Sequence, residues 1–230
     1  MNTIGQIKKE DCCGCTACMS VCPKSAISMQ EDEQGFIYPS IDGAKCVDCG
    51  LCLKVCNAAI SYKADVVDSY AVKNSNKEIL KKSTSGGISD AIARKCITNG
   101  GVVYGVIYDE DYKVVTARLS SEGDLEKLYG SKYVQTNPMS TFISAYEDLN
   151  AGKEVVYFGT SCHVAGLLSY LDAKKCNRER LTTVDLICHG TPSPKVFADY
   201  IDWLKEDKGF QSFQFRTKTK PWGYGSKNFG

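Results

Sequence analysis

The sequence predicts an α+β chain of two parts: a small cysteine-rich head at residues 1–62 and a larger α/β domain with a mixed sheet at residues 66–230. A cysteine pattern that occurs twice defines the head, and the composition changes to a polar stretch after residue 60. Alternating strand-like and helix-like segments after Ser69 predict the second domain. A hairpin pattern early in that domain argues against a purely parallel sheet.

The head is built around two runs of cysteines with the spacing C-x2-C-x2-C-x3-C. The first run is Cys12, Cys15, Cys18 and Cys22, and the second, 34 residues further on, is Cys46, Cys49, Cys52 and Cys56. In two-cluster ferredoxins this spacing binds two [4Fe-4S] clusters, and the fourth cysteine of each run binds the cluster of the other run. We therefore expect a ferredoxin-like head with crossed ligands: Cys12, Cys15, Cys18 and Cys56 for one cluster, and Cys46, Cys49, Cys52 and Cys22 for the other.

Zinc sites and disulfides are the alternatives for these cysteines. Zinc sites usually pair C-x2-C units across a longer gap. Disulfides need an oxidising compartment, and the start of the sequence has no apolar segment typical of a secretory signal. The runs differ in one respect, since Pro23 follows Cys22 whereas Asn57 follows Cys56. Cys13, next to a ligand, is expected to be a spectator thiol.

Length and charge limit the function classes. At 230 residues the chain can form one small domain and one of about 150 residues with its own core. A net charge of +1 gives no general attraction to nucleic acid. No apolar run approaches the ~20 residues that a membrane helix needs. The sequence therefore predicts a cytoplasmic protein with no nucleic-acid partner and no membrane span.

The second domain is predicted element by element from its apolar periodicity. The patterns predict a strand at 69–73, a helix at 86–101, hairpin strands at 102–109 and 113–120, a short helix at 123–130, a helix around 139–149, a buried strand at 154–158, a helix around 164–171, a buried strand at 182–188 and a helix around 196–204. On the helix at 86–101, Ile88, Ala91, Ile92 and Cys96 fall on one face.

Loops between strands and helices are where open α/β sheets bind ligands. The small residues at 83–87 would let backbone N–H groups approach a phosphate, although an ordinary helix cap explains them equally well. The stretch 129–133 offers a lysine and hydroxyl groups for an anion or a flavin, or is a solvated loop.

Two further cysteines follow the two predicted buried strands. Cys162 would lie in the first turn of a helix, where the helix dipole favours a thiolate that could be a nucleophile or a metal ligand. Cys188 follows the next strand, so the two thiols could share a metal at one end of the sheet. They could equally be two buried core cysteines.

Four segments behind the double-cluster head carry a resemblance: KSTSGGISDAI, YGSKYVQT, VVYFGTSCHVAGL and DLICHGTPSP. Together they resemble the coenzyme F420 hydrogenase/dehydrogenase beta-subunit family. The resemblance implies an α/β flavin domain that binds FAD and passes electrons between iron–sulfur clusters and a soluble acceptor such as F420. It implies flavin contacts at Ser85, Gly86, Gly87, Ser131, Lys132, Tyr133, Gly159 and Thr160.

The resemblance also implies a third [4Fe-4S] cluster. Family members read GTPC where this chain has GTSC, so Ser161 replaces a proline, and they carry a cysteine at the position of Cys188. They also carry a downstream C-x2-C that this sequence does not reach. Cys162 and Cys188 are therefore expected to be half of a third cluster site, and the flavin domain is expected to be truncated at its C-terminus.

Three functions follow from these expectations. The leading hypothesis is an iron–sulfur flavoprotein oxidoreductase that passes electrons between the clusters, FAD and a soluble donor or acceptor, which is F420-like or another small molecule. A redox partner protein or subunit is expected, and no residue is assigned as catalytic. The alternative is a non-catalytic ferredoxin-type relay that docks a partner enzyme. A thiol enzyme using Cys162 is the third.

Overall fold

The computed structural model describes residues 2–59, 67–207 and 209–216. The head contains the 3-10 turns Ile4–Gln6 and Lys9–Asp11, helix α1 (Ala17–Val21), strands β1 (Ile27–Glu31) and β2 (Ile37–Ile41), and helix α2 (Leu51–Lys54). β1 and β2 pair antiparallel, with Met29 opposite Pro39. The expected boundary between residues 62 and 66 lies outside the described residues, so the division into two domains stays a prediction.

The second region alternates helices with strands, as predicted. Its elements are α3 (Lys77–Lys82), α4 (Ile88–Thr98), β3 (Val102–Tyr108), β4 (Val114–Leu119), the 3-10 helix Glu122–Leu128, α5 (Thr141–Asn150), β5 (Val155–Thr160), α6 (Ser161–Ala173), β6 (Leu181–Leu186) and α7 (Pro194–Lys205). The sheet has the order β4-β3-β5-β6. β3 and β4 are antiparallel, whereas β5 pairs parallel to both β3 and β6. The α+β organisation and the mixed sheet are thus confirmed.

The core lies on both faces of this sheet. Successive side chains of a strand point to opposite faces. Tyr104 and Tyr157 pack with residues of α5 and α6 on one face, while Val103 and Val156 pack with residues of α4 on the other. A strand buried on both sides reads as a continuous apolar run, which is why β5 was recognisable in the sequence.

A buried carboxylate joins the sheet to α5. Asp148 on α5 accepts hydrogen bonds from Tyr104 Oη at 2.6 Å and from Arg118 Nε at 2.7 Å. Lys153 Nζ donates to the same carboxylate at 3.0 Å. Burial alone would raise the pKa of Asp148, but the hydrogen bonds from these three donors outweigh it and hold the pKa well below its ordinary value. The carboxylate is therefore charged and fully partnered at neutral pH.

The head is attached to the second region by hydrogen bonds and by apolar packing. Gln135 Oε1 accepts a hydrogen bond from Ile37 N at 2.7 Å, and Gln135 Nε2 donates to Ile37 O at 3.2 Å. Ser193 Oγ donates to Gln34 O at 2.7 Å. Helix α1 of the head also packs against α6, so that Ala17 belongs to the same core cluster as the sheet.

Two strand predictions need correction. Residues 69–73 form no strand; Tyr70 is 78% exposed, so the segment buries no apolar face against the sheet. The strand β6 exists but is at most partly buried. It is an edge strand of the described sheet, and Asp185 and Leu186 are exposed.

Two predicted helices also differ in detail from the observed ones. The buried face of α4 carries Asp90, Ala93 and Cys96, which leaves Ile88 exposed. Asp90 is tolerated there because Arg94, one turn later, pairs with its carboxylate at 3.0 Å. Met139 lies before the first residue of α5 and is exposed. The hydrophobic pattern thus identifies both helices, but the buried face that it predicts for α4 differs from the observed one.

Candidate metal centre

The eight cysteines of the two runs surround two cavities in two groups of four. One cavity, here called the inner pocket, is lined by Cys12, Cys15, Cys18 and Cys56, together with Cys13. The other, the outer pocket, is lined by Cys22, Cys46, Cys49 and Cys52. This is the grouping that crossed ligation requires, because the fourth cysteine of each run lies with the first three of the other. The binding of clusters by these residues remains a prediction.

The two cysteine loops have the same backbone conformation. Gly14 and Asp48 occupy equivalent positions 34 residues apart, and both have positive φ, 69° and 54°. The next equivalent pair, Thr16 (φ 67°) and Gly50 (φ 75°), is also left-handed and starts the short helices α1 and α2. Asp and Thr rarely adopt this conformation, and such strain is concentrated at functional sites. Each loop therefore wraps around a centre in the same way.

The cysteine lining of both pockets fits [4Fe-4S] clusters, but their volumes differ. The inner pocket has a volume of about 380 Å³, whereas the outer pocket has one of about 20 Å³. Backbone N–H groups face the ligand sulfurs of the outer pocket, since Ala26 N donates to Cys22 Sγ at 3.3 Å and Ile4 N donates to Cys52 Sγ at 3.4 Å. Such N–H···S bonds stabilise the negative charge of a cluster. Across the described ranges, no three His, Cys, Asp or Glu side chains converge on a point suited to one metal ion.

Thiols of the inner pocket make their neighbours harder to ionise. Burial, assisted by the nearby Cys12 and Cys56, raises the pKa of Cys18 to about 12. Burial likewise raises the pKa of Cys12, and Cys56 adds to the effect. Several thiolates in one cavity repel each other unless cations lie between them. The residues of the inner pocket therefore fit a group that supplies positive charge at its centre.

The two pockets have different surroundings. The inner pocket lies against α6: a Cβ atom added to Gly166 would be 3.0 Å from Cys15 Sγ, so a larger residue would have to displace Cys15 by a few tenths of an ångström. The outer pocket lies at the surface, where Cys49 is exposed and Val47 is 58% exposed. The second region thus contacts a cysteine of the inner pocket, while the outer pocket has an exposed cysteine.

Cys162 contacts the head rather than a second cysteine of the sheet. Its thiol is hydrogen-bonded to Cys13 and lies 3.2 Å from Thr160 Oγ1. The contact with Cys13, together with burial, raises the pKa of Cys162 well above its ordinary value. These two effects act against the helix dipole, and a reactive thiolate at Cys162 stays a prediction. Cys13 contacts Cys162 of α6, and its expected role as a thiol that binds no cluster stays a prediction too.

Cys188 lies at the same end of the sheet as Cys162. Thr160 and Leu186 are register partners in β5 and β6, and the two cysteines each stand two residues beyond them. Cys188 is exposed, and its sulfur accepts a hydrogen bond from Gly190 N at 3.4 Å. Both positions agree with the strand ends on which the third-site hypothesis was based. A shared cluster remains a prediction.

Two of the three predicted flavin-binding segments come together. Ser131 N donates to Thr84 Oγ1 at 3.1 Å, which joins the loop of Ser85, Gly86 and Gly87 to the stretch containing Ser131, Lys132 and Tyr133. Gly87 has φ 70° and caps α4. The third segment, Gly159 and Thr160, is the carboxyl end of β5. Binding of FAD by these residues remains a prediction.

Lys132 points into the protein. Its Nζ donates to Lys127 O and Tyr129 O, both at 2.9 Å, and lies 5.5 Å from the centre of the Tyr108 ring. Burial lowers the pKa of Lys132 to about 8. Its ammonium group is therefore occupied by backbone carbonyls in this structure, which differs from the free anion contact that the sequence suggested.

Sequence reasoning missed the residues that join the two regions. Asn57 Nδ2 donates to Cys162 O at 2.7 Å and lies 3.8 Å from Cys15 Sγ. Gln135 holds the backbone of Ile37. In the sequence, the absence of a proline after Cys56 pointed to Asn57, but nothing pointed to Gln135.

An open polar cleft of about 590 Å³ between α3, α4 and the 3-10 helix was also missed. Asp90, Arg94 and Tyr129 line it.

Comparisons with known proteins follow this division of the chain. Residues 11–60 match the family model of the 4Fe-4S dicluster domain. Residues 152–224 match the family model for the C terminus of the coenzyme F420 hydrogenase/dehydrogenase beta subunit. No curated protein matched the chain. No helix in the described part of the chain has both the length and the apolar character that crossing a membrane requires.

Among solved structures, one similar chain belongs to the F420-reducing [NiFe] hydrogenase complex from Methanosarcina barkeri. The match has 21% sequence identity and a TM-score of 0.43, and covers 61% of this chain and 49% of that one. The chain thus corresponds to about half the length of that relative.

Proposed function

We propose a function from the premise that this chain joins an N-terminal 4Fe-4S dicluster domain to a C-terminal domain of the coenzyme F420 hydrogenase/dehydrogenase beta-subunit family. At the coarse level it is an iron–sulfur electron-transfer protein related to oxidoreductase subunits. Our proposal is that it acts as an oxidoreductase. Electrons pass between a partner protein, the outer cluster, the inner cluster, FAD and a soluble donor or acceptor.

The asymmetry of the two pockets carries this proposal. The outer pocket, with Cys49 exposed, is accessible to a partner protein or subunit. Helix α6 lies against Cys15 of the inner pocket, and Cys15 packs against the core of the second region. A cluster at each pocket would therefore form a relay with one end at the exposed Cys49 and the other beside the second region. The direction of electron flow along it is open.

Binding of FAD and electron transfer to a soluble acceptor are part of the proposal. When bound, a flavin supplies the conversion between two-electron and one-electron transfer. The loop of Ser85, Gly86 and Gly87 supports this assignment, because the hydrogen bond from Ser131 to Thr84 brings the two predicted contact segments together. These residues would bind and orient the cofactor through backbone N–H groups and hydroxyls. A cytoplasmic location and an F420-like acceptor are likewise proposed.

The third cluster is a separate part of the proposal. Cys162 and Cys188 follow adjacent parallel strands at the same end of the sheet, which supports a shared site there. Two further cysteine ligands would complete it. Cys162 would then lie between this site and the inner pocket, since its thiol contacts Cys13.

A relay that binds no flavin is the second candidate. The position of Lys132 favours it, because the ammonium group is held by two backbone carbonyls instead of facing a ligand. In that case the second region would serve as a platform for a partner enzyme. The clusters would perform the same one-electron transfer.

Iron and flavin content separates these functions. The protein is purified without oxygen, and both are measured per chain. We expect about eight iron atoms for two clusters, or about twelve if the third is present, together with one flavin. If the third cluster exists, Cys162→Ser loses about four iron atoms. Eight iron atoms without flavin establish the relay, and clearly fewer than eight contradict both functions.

A further inference from the structure

Asn57 connects a predicted cluster ligand to the second region. Its Nδ2 donates to the carbonyl of Cys162 on α6 at 2.7 Å and lies 3.8 Å from Cys15 Sγ in the inner pocket. Its Oδ1 is buried and has no hydrogen-bond partner among the described residues. The side chain is therefore oriented by its N–H groups alone, and both of them are directed at features that matter for the relay.

The corresponding residue of the other half cannot make these contacts. Pro23 follows Cys22 as Asn57 follows Cys56, and each lines the pocket of the cysteine before it. Proline has no N–H group to donate. The repeat thus places a hydrogen-bond donor beside the inner pocket, at a position where the outer pocket has none.

An N–H group directed at a ligand sulfur changes the energy of a cluster. Reduction adds negative charge, which spreads onto the thiolates, and a donor stabilises that charge. A hydrogen bond to a ligand therefore raises the reduction potential of its cluster. The effect is large only if the donor is fixed, and the second hydrogen bond of Asn57, to the Cys162 carbonyl, fixes it.

We propose that Asn57 is a positioning residue that raises the reduction potential of the inner cluster and makes this potential depend on the docking of α6. The inference rests on the proposed function, because it assumes a cluster in each pocket. The contact thus adds to the potential of the inner cluster a contribution that the outer cluster does not receive from its equivalent position. When α6 is not in place, the amide loses its anchor and the inner cluster loses this stabilisation.

The test is a redox titration of the intact protein, followed by electron paramagnetic resonance. Wild type is compared with Asn57→Leu, which keeps the size of the side chain but removes the donor. Pro23→Ala is the matched control in the other half. The inner-cluster signal is identified as the one that is missing in Cys56→Ser. We expect Asn57→Leu to shift the inner midpoint to more negative potential and to leave the outer one unchanged, whereas Pro23→Ala shifts neither.

Two outcomes overturn the inference: an unchanged inner midpoint in Asn57→Leu, or an equal shift of both midpoints. If Asn57→Leu does not retain the inner cluster, Asn57→Ser gives the same test, because its shorter side chain cannot maintain both contacts. A wild-type protein that shows fewer than two cluster signals refutes the proposed function itself. Failure of the inference is therefore distinguishable from failure of the function.

Discussion

The head and the second region are stabilised in different ways. In the head, the cluster of buried apolar residues is small, consisting of Ile4, Ile27 and Cys52, and cysteines surround both cavities. In the second region, large side chains such as Tyr104 and Phe142 fill the core. A small domain with so little apolar core needs metals or partners to be stable. The head should therefore depend on its iron, and the second region should not.

The inner half of the head departs from this division. Ala17, Val21 and Val55 belong to the same core cluster as Tyr157 and Leu167 of the second region. The inner pocket thus shares a core with the sheet, whereas the outer pocket lies on the far side of the head. A substitution at the inner pocket should therefore also destabilise the second region, whereas a substitution at the outer pocket should destabilise only the head.

The largest effect is expected from removing one fourth cysteine of each run. Cys56→Ser and Cys22→Ser should each lose about four of about eight iron atoms. Cys56→Ser should also lower the unfolding temperature more, because the inner pocket is part of the shared core. Iron analysis and thermal unfolding measure both quantities. A larger loss of stability in Cys22→Ser would show that the crossed grouping is wrong.

The next effect concerns the second region alone. Asp148→Asn keeps the shape of the side chain but leaves Arg118 without its anionic partner, and we expect a loss of about 3 kcal/mol in the free energy of unfolding. The iron content should not change, because Asp148 lies away from both pockets. Denaturant unfolding and iron analysis test this. Loss of iron in Asp148→Asn would show that the cluster sites depend on this carboxylate.

Acid should abolish the difference between Asp148→Asn and wild type. The folded-state pKa of Asp148 is lower than its unfolded value of about 4. The stabilisation is therefore complete above about pH 4 and is lost as the pH falls towards the folded-state pKa. Melting curves of both proteins at several pH values should converge below about pH 4. A constant difference would exclude a stabilising role of the charged form.

A smaller effect is expected where α6 approaches the inner pocket. In Gly166→Val the new side chain meets Cys15 and Phe142, and overpacking of this kind costs about 2 kcal/mol. Ala165→Val, on the same helix, is the control for the lower helix propensity of valine. Thermal unfolding should show a clear loss for Gly166→Val and little for Ala165→Val. Equal losses would mean that the contact with Cys15 does not restrict the size of the side chain at position 166.

The smallest effect is expected from the polar contact between the regions. Gln135→Ala removes both hydrogen bonds to Ile37 and should cost about 1 kcal/mol. It should also increase the rate at which a protease cleaves the head. Gln30→Ala changes an exposed glutamine of β1 and serves as the control. Identical cleavage rates would show that Gln135 does not hold the head.

Short-range patterns predicted much of this molecule. The cysteine spacing anticipated which four cysteines line each pocket, because loop geometry over three or four residues determines where their thiols point. Apolar periodicity located α5, α6 and the hairpin of β3 and β4. It failed at residues 69–73, where an alternating pattern has no neighbouring strand to pair with, and at Ile88, where a paired aspartate takes the buried face.

Contacts between distant residues were not predictable. Asn57 and Cys162 are 105 residues apart, and Gln135 and Ile37 are 98 apart. Nothing in the local sequence of either residue specifies its partner. The contact between Cys13 and Cys162 likewise joins two residues that are far apart in the sequence. The predicted ligands therefore followed from the sequence, whereas the way in which the head joins the sheet required the fold.

The position of α6 against Cys15 of the inner pocket has a consequence for the order of events during synthesis. Cys56 is the last of the eight cysteines to leave the ribosome, and Gly166 follows 110 residues later. At 5–20 residues per second this interval lasts roughly 5–20 seconds. The residues that line the two pockets all lie between positions 3 and 58, so both clusters can be inserted during this interval. When α6 docks, its Gly166 comes to lie against Cys15, so a cluster inserted beforehand is already in place at this contact.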